Sequence, residues 1–312
     1  MIVKQPMRWG RMLFLYRGSV LRRTLPRILF FTGFSIIVTA TEVVYELAKY
    51  SLTIEPFTII GLAIGIFLGF RNNAAYDRYW EGRRLWGHMV NASRSFSRQV
   101  LLFVGDGESP ATGEIRKFQD DLVRQMIAYV HALRHHLRDS NPMPDLERFL
   151  SPEHVHELRE QANVPVAILH GIGVRLRQAW QDGWISEYHL PALEGTLTTV
   201  TDIQGGCERI KNTPIPFPYT VLTHRLVAFY CFFLPFGLIE TVRWLTPVVV
   251  MLISQAFFGL DAIGDEIEDP FGTEPQHLPL EALCRMIEVN LLQAIDEREV
   301  PALMTPVNGV LL

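Results

Sequence analysis

The stretch FTIIGLAIGIFLGF, Phe57–Phe70, decides the architecture of this chain, because it is apolar and runs without a break into polar sequence. Its glycines recur at every fourth position, at Gly61, Gly65 and Gly69. Residues four apart share one face of an α-helix, and glycines at that spacing let helices approach closely in lipid. The pattern predicts a membrane helix that packs on copies of itself. The alternative is a buried membrane helix whose glycines pack on a neighbour within the same chain.

The edge of this helix beside the glycines carries larger apolar side chains, at Leu62, Ile66 and Phe70. We call these three residues the neck face. If several copies surround an axis, the neck face forms three stacked apolar rings, and such rings can gate ions by dewetting. Ile64 lies about 200° around the helix from Ile66 and is predicted to face protein or lipid.

Composition favours membrane segments joined to a large water-facing part. Of the 312 residues, 48% are hydrophobic and 20% are charged, and the mean hydropathy is +0.14. A net charge of −4 argues against a general nucleic-acid binder. The three cysteines are far apart and form no CxxC pair, which is typical of a reducing compartment. A membrane-bound enzyme or receptor would need a convergent polar constellation, and the sequence offers none.

Four segments are apolar enough to span or enter a bilayer, namely Ile28–Tyr45, Phe57–Phe70, Leu226–Ile239 and Trp244–Leu260. The second has only 14 residues before Arg71, short of the roughly 20 that cross a hydrocarbon core. We therefore expect it to continue as helix into a protein-lined region.

Basic residues flank the first two spans on one side. They precede the first span and follow the second, at Lys4, Arg8, Arg11, Arg17, Arg22 and Arg23, and then at Arg71, Arg78, Arg83 and Arg84. The loop between these spans has only Lys49. The positive-inside rule therefore predicts that both ends of this hairpin are cytoplasmic. The same rule places the turn Glu240–Arg243 outside and both chain termini inside.

These features divide the chain into five predicted parts. A basic cytoplasmic arm covers 1–27, a first membrane hairpin with the neck face covers 28–70, and a cytoplasmic helical region covers 71–220. A second membrane hairpin covers 221–260, and an acidic segment with a cytoplasmic tail covers 261–312.

The cytoplasmic region is predicted to be helical and to contain no sheet. Apolar residues recur at spacings of three and four in Ile115–Arg138, which predicts an amphipathic helix. Val155–Gln161 and Leu176–Trp180 are predicted as shorter helices and Leu190–Ile210 as a longer one. Alternating prolines in Asn212–Pro218 exclude a regular helix there.

Three blocks of sequence carry a family resemblance. FRNNAAYDRYWEGRRLWG (Phe70–Gly87), GGCERIKNTPIPFPYT (Gly205–Thr220) and EDPFG (Glu268–Gly272) resemble the signature blocks of the prokaryotic branch of the bestrophin family. The resemblance implies an all-α, homopentameric ion channel in the prokaryotic plasma (inner) membrane. Its expected partners are copies of itself, membrane lipids and permeating ions.

The resemblance also implies roles for single residues. It places the neck at Leu62, Ile66 and Phe70, in agreement with the neck face found from spacing, and it puts a second, cytosolic aperture near Tyr188. The prokaryotic branch resembles monovalent-cation channels, so passage of sodium or potassium is favoured, with a chloride channel of the same architecture as the alternative. Asn72 and Asn73 lie at the predicted neck exit, where amides could replace ion hydration. Hydrogen bonding between helices explains them equally well.

The acidic run 261–269, which we call the acidic segment, resembles the calcium clasp of animal bestrophins. Calcium wants six or more oxygen ligands, and here only Asp265, Glu266, Glu268 and Asp269 lie close together in sequence. The favoured interpretation is therefore a helix terminus with solvated acids and no required cofactor, and a bound divalent cation is the less favoured one. Pairing with the basic N-terminal arm is a third interpretation.

Two further groups of side chains have competing interpretations. The arginines after the second span could bind anionic lipid or line a vestibule, or could pair within the chain with Asp77 and Glu81. His131 and His135 have the i, i+4 spacing of a zinc pair but lack a third ligand. These histidines, with His136, are predicted to lie on the surface.

Overall fold

The computed structural model describes residues 1, 20–44, 52–105, 113–307 and 309–311. Within this part of the chain every regular element is helical, apart from an isolated bridge between Val307 and Val310. The all-α prediction is therefore confirmed. The α-helices in chain order are α1 (Leu21–Thr39), α2 (Ile54–Phe103), α3 (Gly113–Leu137), α4 (Met143–Leu146), α5 (Pro152–Leu158), α6 (Val164–Gln181), α7 (Leu190–Asn212), α8 (Phe217–Val242), α9 (Thr246–Glu268) and α10 (Leu280–Ala294).

The chain divides into two compact units. The hairpin unit comprises Lys4–Trp80 and Pro214–Asp269, and the insert unit comprises Met1–Val3, Glu81–Thr213 and Pro270–Leu312. Helix α2 contributes its first part to the hairpin unit and its last part to the insert unit.

Three segments of the described chain are long and apolar enough to cross a membrane. They are Leu21–Val43, Ile54–Phe103 and Phe217–Glu268, and the last of these contains α8 and α9, which the 3₁₀ turn Arg243–Leu245 joins. The short apolar stretch after Phe57 does continue as helix, since α2 is 50 residues long.

In the hairpin unit, α1, α2, α8 and α9 pack around a shared apolar core. Its buried members are Ile28, Phe31, Ile64, Leu68, Val227, Cys231 and Phe258. A second cluster joins Phe57 of α2 to Leu234 and Leu238 of α8 and Val250 of α9. These contacts bury one side of α2 and leave its other side uncovered in the single chain.

The insert unit is built around α3, which packs against α6 and α10. Its apolar face is buried, as the periodicity of Ile115–Arg138 predicts, except that Phe118 is half-buried. The helix starts two residues before the predicted start and stops one residue before the predicted end. Helix α7 matches the predicted Leu190–Ile210 and extends it to Asn212. The predicted break over Asn212–Pro218 is confirmed only for 213–216, because α7 includes Asn212 and α8 already begins at Phe217.

The prediction of a short helix at Leu176–Trp180 is wrong in length. Helix α6 starts twelve residues earlier, at Val164, where the Asn163 side chain accepts a hydrogen bond from the Val166 N–H at 3.3 Å. Gly171 and Gly173 weaken the helical signal between these ends. Burial of Ile168, Ile172 and Leu176 offsets that weakness, because packing contributes more to helix stability than propensity does.

Several predictions fall on residues outside the described ones. The residues concerned are Lys4, Arg8, Arg11, Arg17, Tyr45 and Lys49. The five-part division of the chain and the location of its termini stay predictions.

Candidate functional site

The neck face lies on the uncovered side of α2. Leu62, Ile66 and Phe70 are 68%, 51% and 64% exposed, whereas Ile64 is 2% exposed and Leu68 is fully buried. Ile64 therefore faces protein, one of the two environments predicted for it. Three large apolar side chains exposed along one helix stripe are costly in water and mark a surface that another apolar surface or lipid covers. Their role as pore rings stays a prediction.

The three glycines of the same helix differ in their surroundings. A Cβ built at Gly61 would lie 2.6 Å from the hydroxyl oxygen of Tyr230, so Gly61 packs against α8 of its own chain. For Gly61 this contact fits the alternative interpretation of the glycine stripe. No described neighbour comes within 4 Å of a Cβ built at Gly65 or at Gly69. These two positions leave room for the close approach of another helix.

Directly after the neck face, Arg71 is buried among carboxylates of α9. Its guanidinium donates to Asp261 Oδ1 at 2.7 Å, is hydrogen-bonded to Asp265, and lies 3.8 Å from Glu268 Oε2. The side chains of Arg71 and Asp261 are both fully buried. Because an unpaired charge in such a site is very costly, Arg71 and the three carboxylates hold α2 and α9 together.

Two further basic side chains border this cluster. His224 Nε2 of α8 lies 3.0 Å from Asp261 Oδ2, and Arg23 of α1 lies 3.8 Å from Asp265 Oδ2. All four helices of the hairpin unit thus contribute an acidic or basic side chain to one cluster. The third interpretation of the acidic segment, pairing with the basic N-terminal arm, is confirmed for Arg23.

The structure corrects two predictions here. Asp265 and Glu268 are not solvated acids, since each side chain is 19% exposed and each faces Arg71. Arg71 pairs within the chain, but with these carboxylates and not with Asp77 or Glu81. The partners lie about 190 residues apart in sequence, so helix spacing rules could not reveal them.

The arrangement bears on the calcium interpretation. Arg71 already supplies a positive charge among Asp261, Asp265 and Glu268. Glu266 and Asp269 also have interaction partners. Among the described residues, no group of three or more His, Cys, Asp or Glu side chains is arranged to hold a metal ion. As they stand, these acids fit an arginine-centred ion cluster better than a site of six or more oxygen ligands.

The two asparagines at the predicted neck exit behave differently. Asn72 Nδ2 donates to the Leu260 carbonyl of α9 at 3.0 Å, as the helix-bonding interpretation expects. Asn73 is exposed and continues the stripe of the neck face. Tyr188, the predicted aperture residue, is 83% exposed just before α7.

The insert unit contains a buried ionic cluster that sequence patterns did not reveal. His131 of α3 is 2% exposed, and its Nε2 lies 3.1 Å from Glu288 Oε2 of α10. Glu288 is fully buried and also pairs with Arg148 and with Arg285 at 3.2 Å. The surface location predicted for His131 is therefore wrong, because α10 covers this part of α3.

Burial and hydrogen bonding shift the pKa values of this cluster. Burial lowers the pKa of His131, although its hydrogen bond with Glu288 acts in the opposite direction. Burial raises the pKa of Glu288, but the hydrogen bond with His131 and the charge of Arg148 outweigh it and hold the pKa below its ordinary value. Glu288 is therefore a carboxylate and His131 a neutral donor at neutral pH.

Comparison with known proteins shows the family of the chain. The family model described as Bacterial/Fungal Bestrophin protein matches residues 1–293. The voltage-dependent anion channel-forming protein YneE of Escherichia coli (strain K12) is 40% identical over 306 residues, or 98% of each chain. A protein of the same description, RSc3414 of Ralstonia nicotianae, is 39% identical over 297 residues, or 95% of each chain.

A solved structure matches as well. The crystal structure of a bacterial bestrophin homologue from Klebsiella pneumoniae superimposes with a TM-score of 0.82 at 36% identity, and the match covers 88% of this chain and 99% of that one. The fold and the apolar helices define a helical membrane protein whose relatives are named as channels and not as enzymes. The chain belongs to the bestrophin family, in its bacterial and fungal branch.

Proposed function

We propose that this protein is an ion channel that assembles from five copies, with the neck face of each copy lining a central pore. The observation that carries the proposal is the exposure of Leu62, Ile66 and Phe70 on one stripe of α2 while Ile64 and Leu68 are buried. The names of the relatives, which describe channel-forming proteins, support it.

In this assembly each neck residue contributes to a ring of identical apolar side chains. Water leaves such a constriction readily, and an ion that crosses it sheds hydration without gaining ligands, so the rings act as a gate. The open surroundings of Gly65 and Gly69 let the neck helices of neighbouring copies approach closely. Asn73 then continues the pore stripe below the rings, and Tyr188 borders the cytosolic exit.

We place the channel in the bacterial inner membrane, with both termini in the cytoplasm and lipid covering the outer apolar faces of α1 and α8. Support comes from the apolar segments of the hairpin unit and from the basic residues that flank the first hairpin.

Two candidate functions, a monovalent-cation channel and a chloride channel, differ in the sign of the ion that passes. The resemblance to the prokaryotic branch favours sodium or potassium, whereas the names of the relatives describe anion channels and favour chloride. Apolar rings do not set this sign. The purified protein in a planar bilayer under a potassium chloride gradient tests both, since the reversal potential moves toward the potassium or toward the chloride equilibrium potential. Absence of current in reconstituted protein of correct mass would contradict channel function itself.

We further propose that no divalent cation is needed for the channel to conduct. The buried Arg71 already balances part of the charge of the acidic segment, so chelation of calcium should leave flux unchanged. A steep dependence of open probability on calcium would contradict this proposal.

A further inference from the structure

A cavity of about 370 Å³ opens between the last turns of α2 and helix α10 in the insert unit. Arg94, Ser97 and Arg98 of α2 form one side, and Asn290 of α10 forms part of the other. None of the residues that line it is an Asp or a Glu. The cavity is therefore a positively charged recess on a chain whose net charge is −4.

No carboxylate of the described chain neutralises the charge of the two arginines, so they can bind an anion. Arg94 Nε donates to the neutral Asn290 side chain, Oδ1, at 2.9 Å, and the Asn290 amide in turn donates to the Met286 carbonyl at 2.8 Å. These bonds orient the Arg94 guanidinium without cancelling its charge. Neither Arg94 nor Arg98 forms a salt bridge with another residue of the described chain. Guanidinium groups four residues apart on one helix face can together bind an oxyanion.

Ser97 lies between the arginines and provides an independent observation. It is 2% exposed, and its hydroxyl has no hydrogen-bond partner among the described residues. One turn earlier, the Ser93 hydroxyl donates to the Met89 carbonyl at 2.8 Å, as buried serines in helices commonly do. A buried hydroxyl without a partner is unusual and calls for a ligand or an ordered water.

The rest of the recess is apolar. Leu102 is 68% exposed at its edge, and Leu291 lies in its wall. A fully hydrated inorganic ion would gain nothing from these side chains, whereas an anion with an attached hydrocarbon group would bury it against them.

We propose that this cavity binds a phosphate monoester that carries an apolar group. The phosphate lies between Arg94 and Arg98 and accepts a hydrogen bond from Ser97, and the apolar group contacts Leu102. This chemistry is shared by soluble organic phosphates and by the headgroup region of phosphatidic acid.

Isothermal titration of the full-length protein in phosphatidylcholine nanodiscs with butyl phosphate tests the site. Butyl phosphate should bind more tightly than inorganic phosphate because its chain contacts the apolar wall. Arg94→Gln and Arg98→Gln should each weaken binding about tenfold or more, since a hydrogen bond to a charged group contributes about 1.5–3 kcal/mol. Ser97→Ala should weaken it less. Arg84→Gln, an exposed arginine of the same helix away from the cavity, is the matched control and should leave binding unchanged.

A second arm distinguishes the sources. If phosphatidic acid in the nanodisc competes with butyl phosphate, the site takes the lipid, and if it does not, the site takes a soluble phosphate. Absence of binding to the wild type, or equal binding by all variants, overturns the proposal. The proposal also fails if the wild type does not bind butyl phosphate and the Arg98→Gln variant has a changed oligomer mass. That result would assign the arginines to contacts with another copy. Because conduction plays no part in the readout, the result is independent of channel function.

Discussion

Ile64 and Ile66 stand two positions apart in α2 and differ in exposure, 2% against 51%. The first belongs to the core that joins the four helices of the hairpin unit, whereas the second points away from it. At this scale exposure separates residues that support the fold from residues available to line a pore. Arg71, five residues beyond Ile66, is a charged residue that resembles Ile64 in this respect, because its side chain is buried and supports the fold.

Ile66→Ala should raise ion flux strongly, because a smaller ring widens and rewets the collar, and Ile66→Phe should lower it. Ile64→Ala should instead destabilise the fold by about 2–5 kcal/mol, the usual cost of such a cavity, and leave flux per folded channel nearly unchanged. Liposome flux and thermal stability, measured on the same preparations, separate the two effects. If both variants alter flux alike, the neck face is wrongly assigned.

Arg71→Met should lower stability by about 3–5 kcal/mol, because it leaves buried carboxylates without their cation. Adding Asp261→Asn should recover part of that loss, since it removes one of the stranded charges. Arg27→Gln, an exposed arginine of α1, serves as the control and should have little effect. Thermal unfolding in detergent measures the stability of all these variants. If the double variant is no more stable than Arg71→Met, the loss of stability does not come from the ion cluster.

At the scale of whole helices, the contact of α3 with α10 combines apolar packing with the His131–Glu288 pair. The packing follows the amphipathic pattern of α3 and is visible in its sequence. The ionic pair is not visible, because α10 lies about 150 residues further along the chain. Its burial makes the stability of the insert unit sensitive to pH.

Thermal stability should fall as the pH is lowered from about 7 to about 5, across the ordinary histidine pKa. The pKa of His131 is lowered in the fold. Below about pH 6.5 this histidine is therefore protonated in the unfolded chain while it stays neutral in the folded chain, and unfolding becomes more favourable. The lowered pKa of Glu288 acts in the same direction below about pH 4.5.

His131→Gln should keep a side-chain donor to Glu288 and flatten the first part of this pH dependence. His156→Gln, at an exposed position of α5, is the control and should leave the pH dependence as it is. Melting temperatures across the pH series provide the test. An unchanged slope in His131→Gln would assign the sensitivity to other groups.

For the whole molecule, the proposed assembly depends on surfaces that the single chain leaves uncovered. Gly61 is already packed against Tyr230, whereas Gly65 and Gly69 have no such neighbour. The same four-residue repeat therefore has two settings in one helix: contact within the chain at its first position and, at the others, open space that the proposed assembly fills with another copy.

Light scattering in mild detergent should give the mass of five copies of the 35.7 kDa chain. Gly65→Leu should lower the pentamer fraction while the chain stays folded, because a branched side chain forces neighbouring helices apart. Gly61→Leu should reduce the stability of the chain itself through its clash with Tyr230. A wild-type mass of a monomer or dimer, or equal effects of the two variants, would contradict this assembly.

Helix location was largely predictable from sequence, because helical periodicity and breakers act over a few residues. The apolar repeats of α2 and α3 and the prolines after Asn212 each encode their own local structure. The misjudged length of α6 has the same origin, since its glycines weakened a local signal that distant packing partners then outweighed.

The sequence by itself determined the helical class, the membrane segments and the stripe that carries Leu62, Ile66 and Phe70. Only the tertiary structure decided that this stripe is left uncovered, together with Ile59, Ile60 and Phe67, that Gly61 packs inside the chain, and that Arg71 is the partner of the acidic segment. Periodicity shows which residues share a helix face, but which face is buried depends on neighbours far away in sequence. The pairing of charges depends likewise on which helices fold side by side.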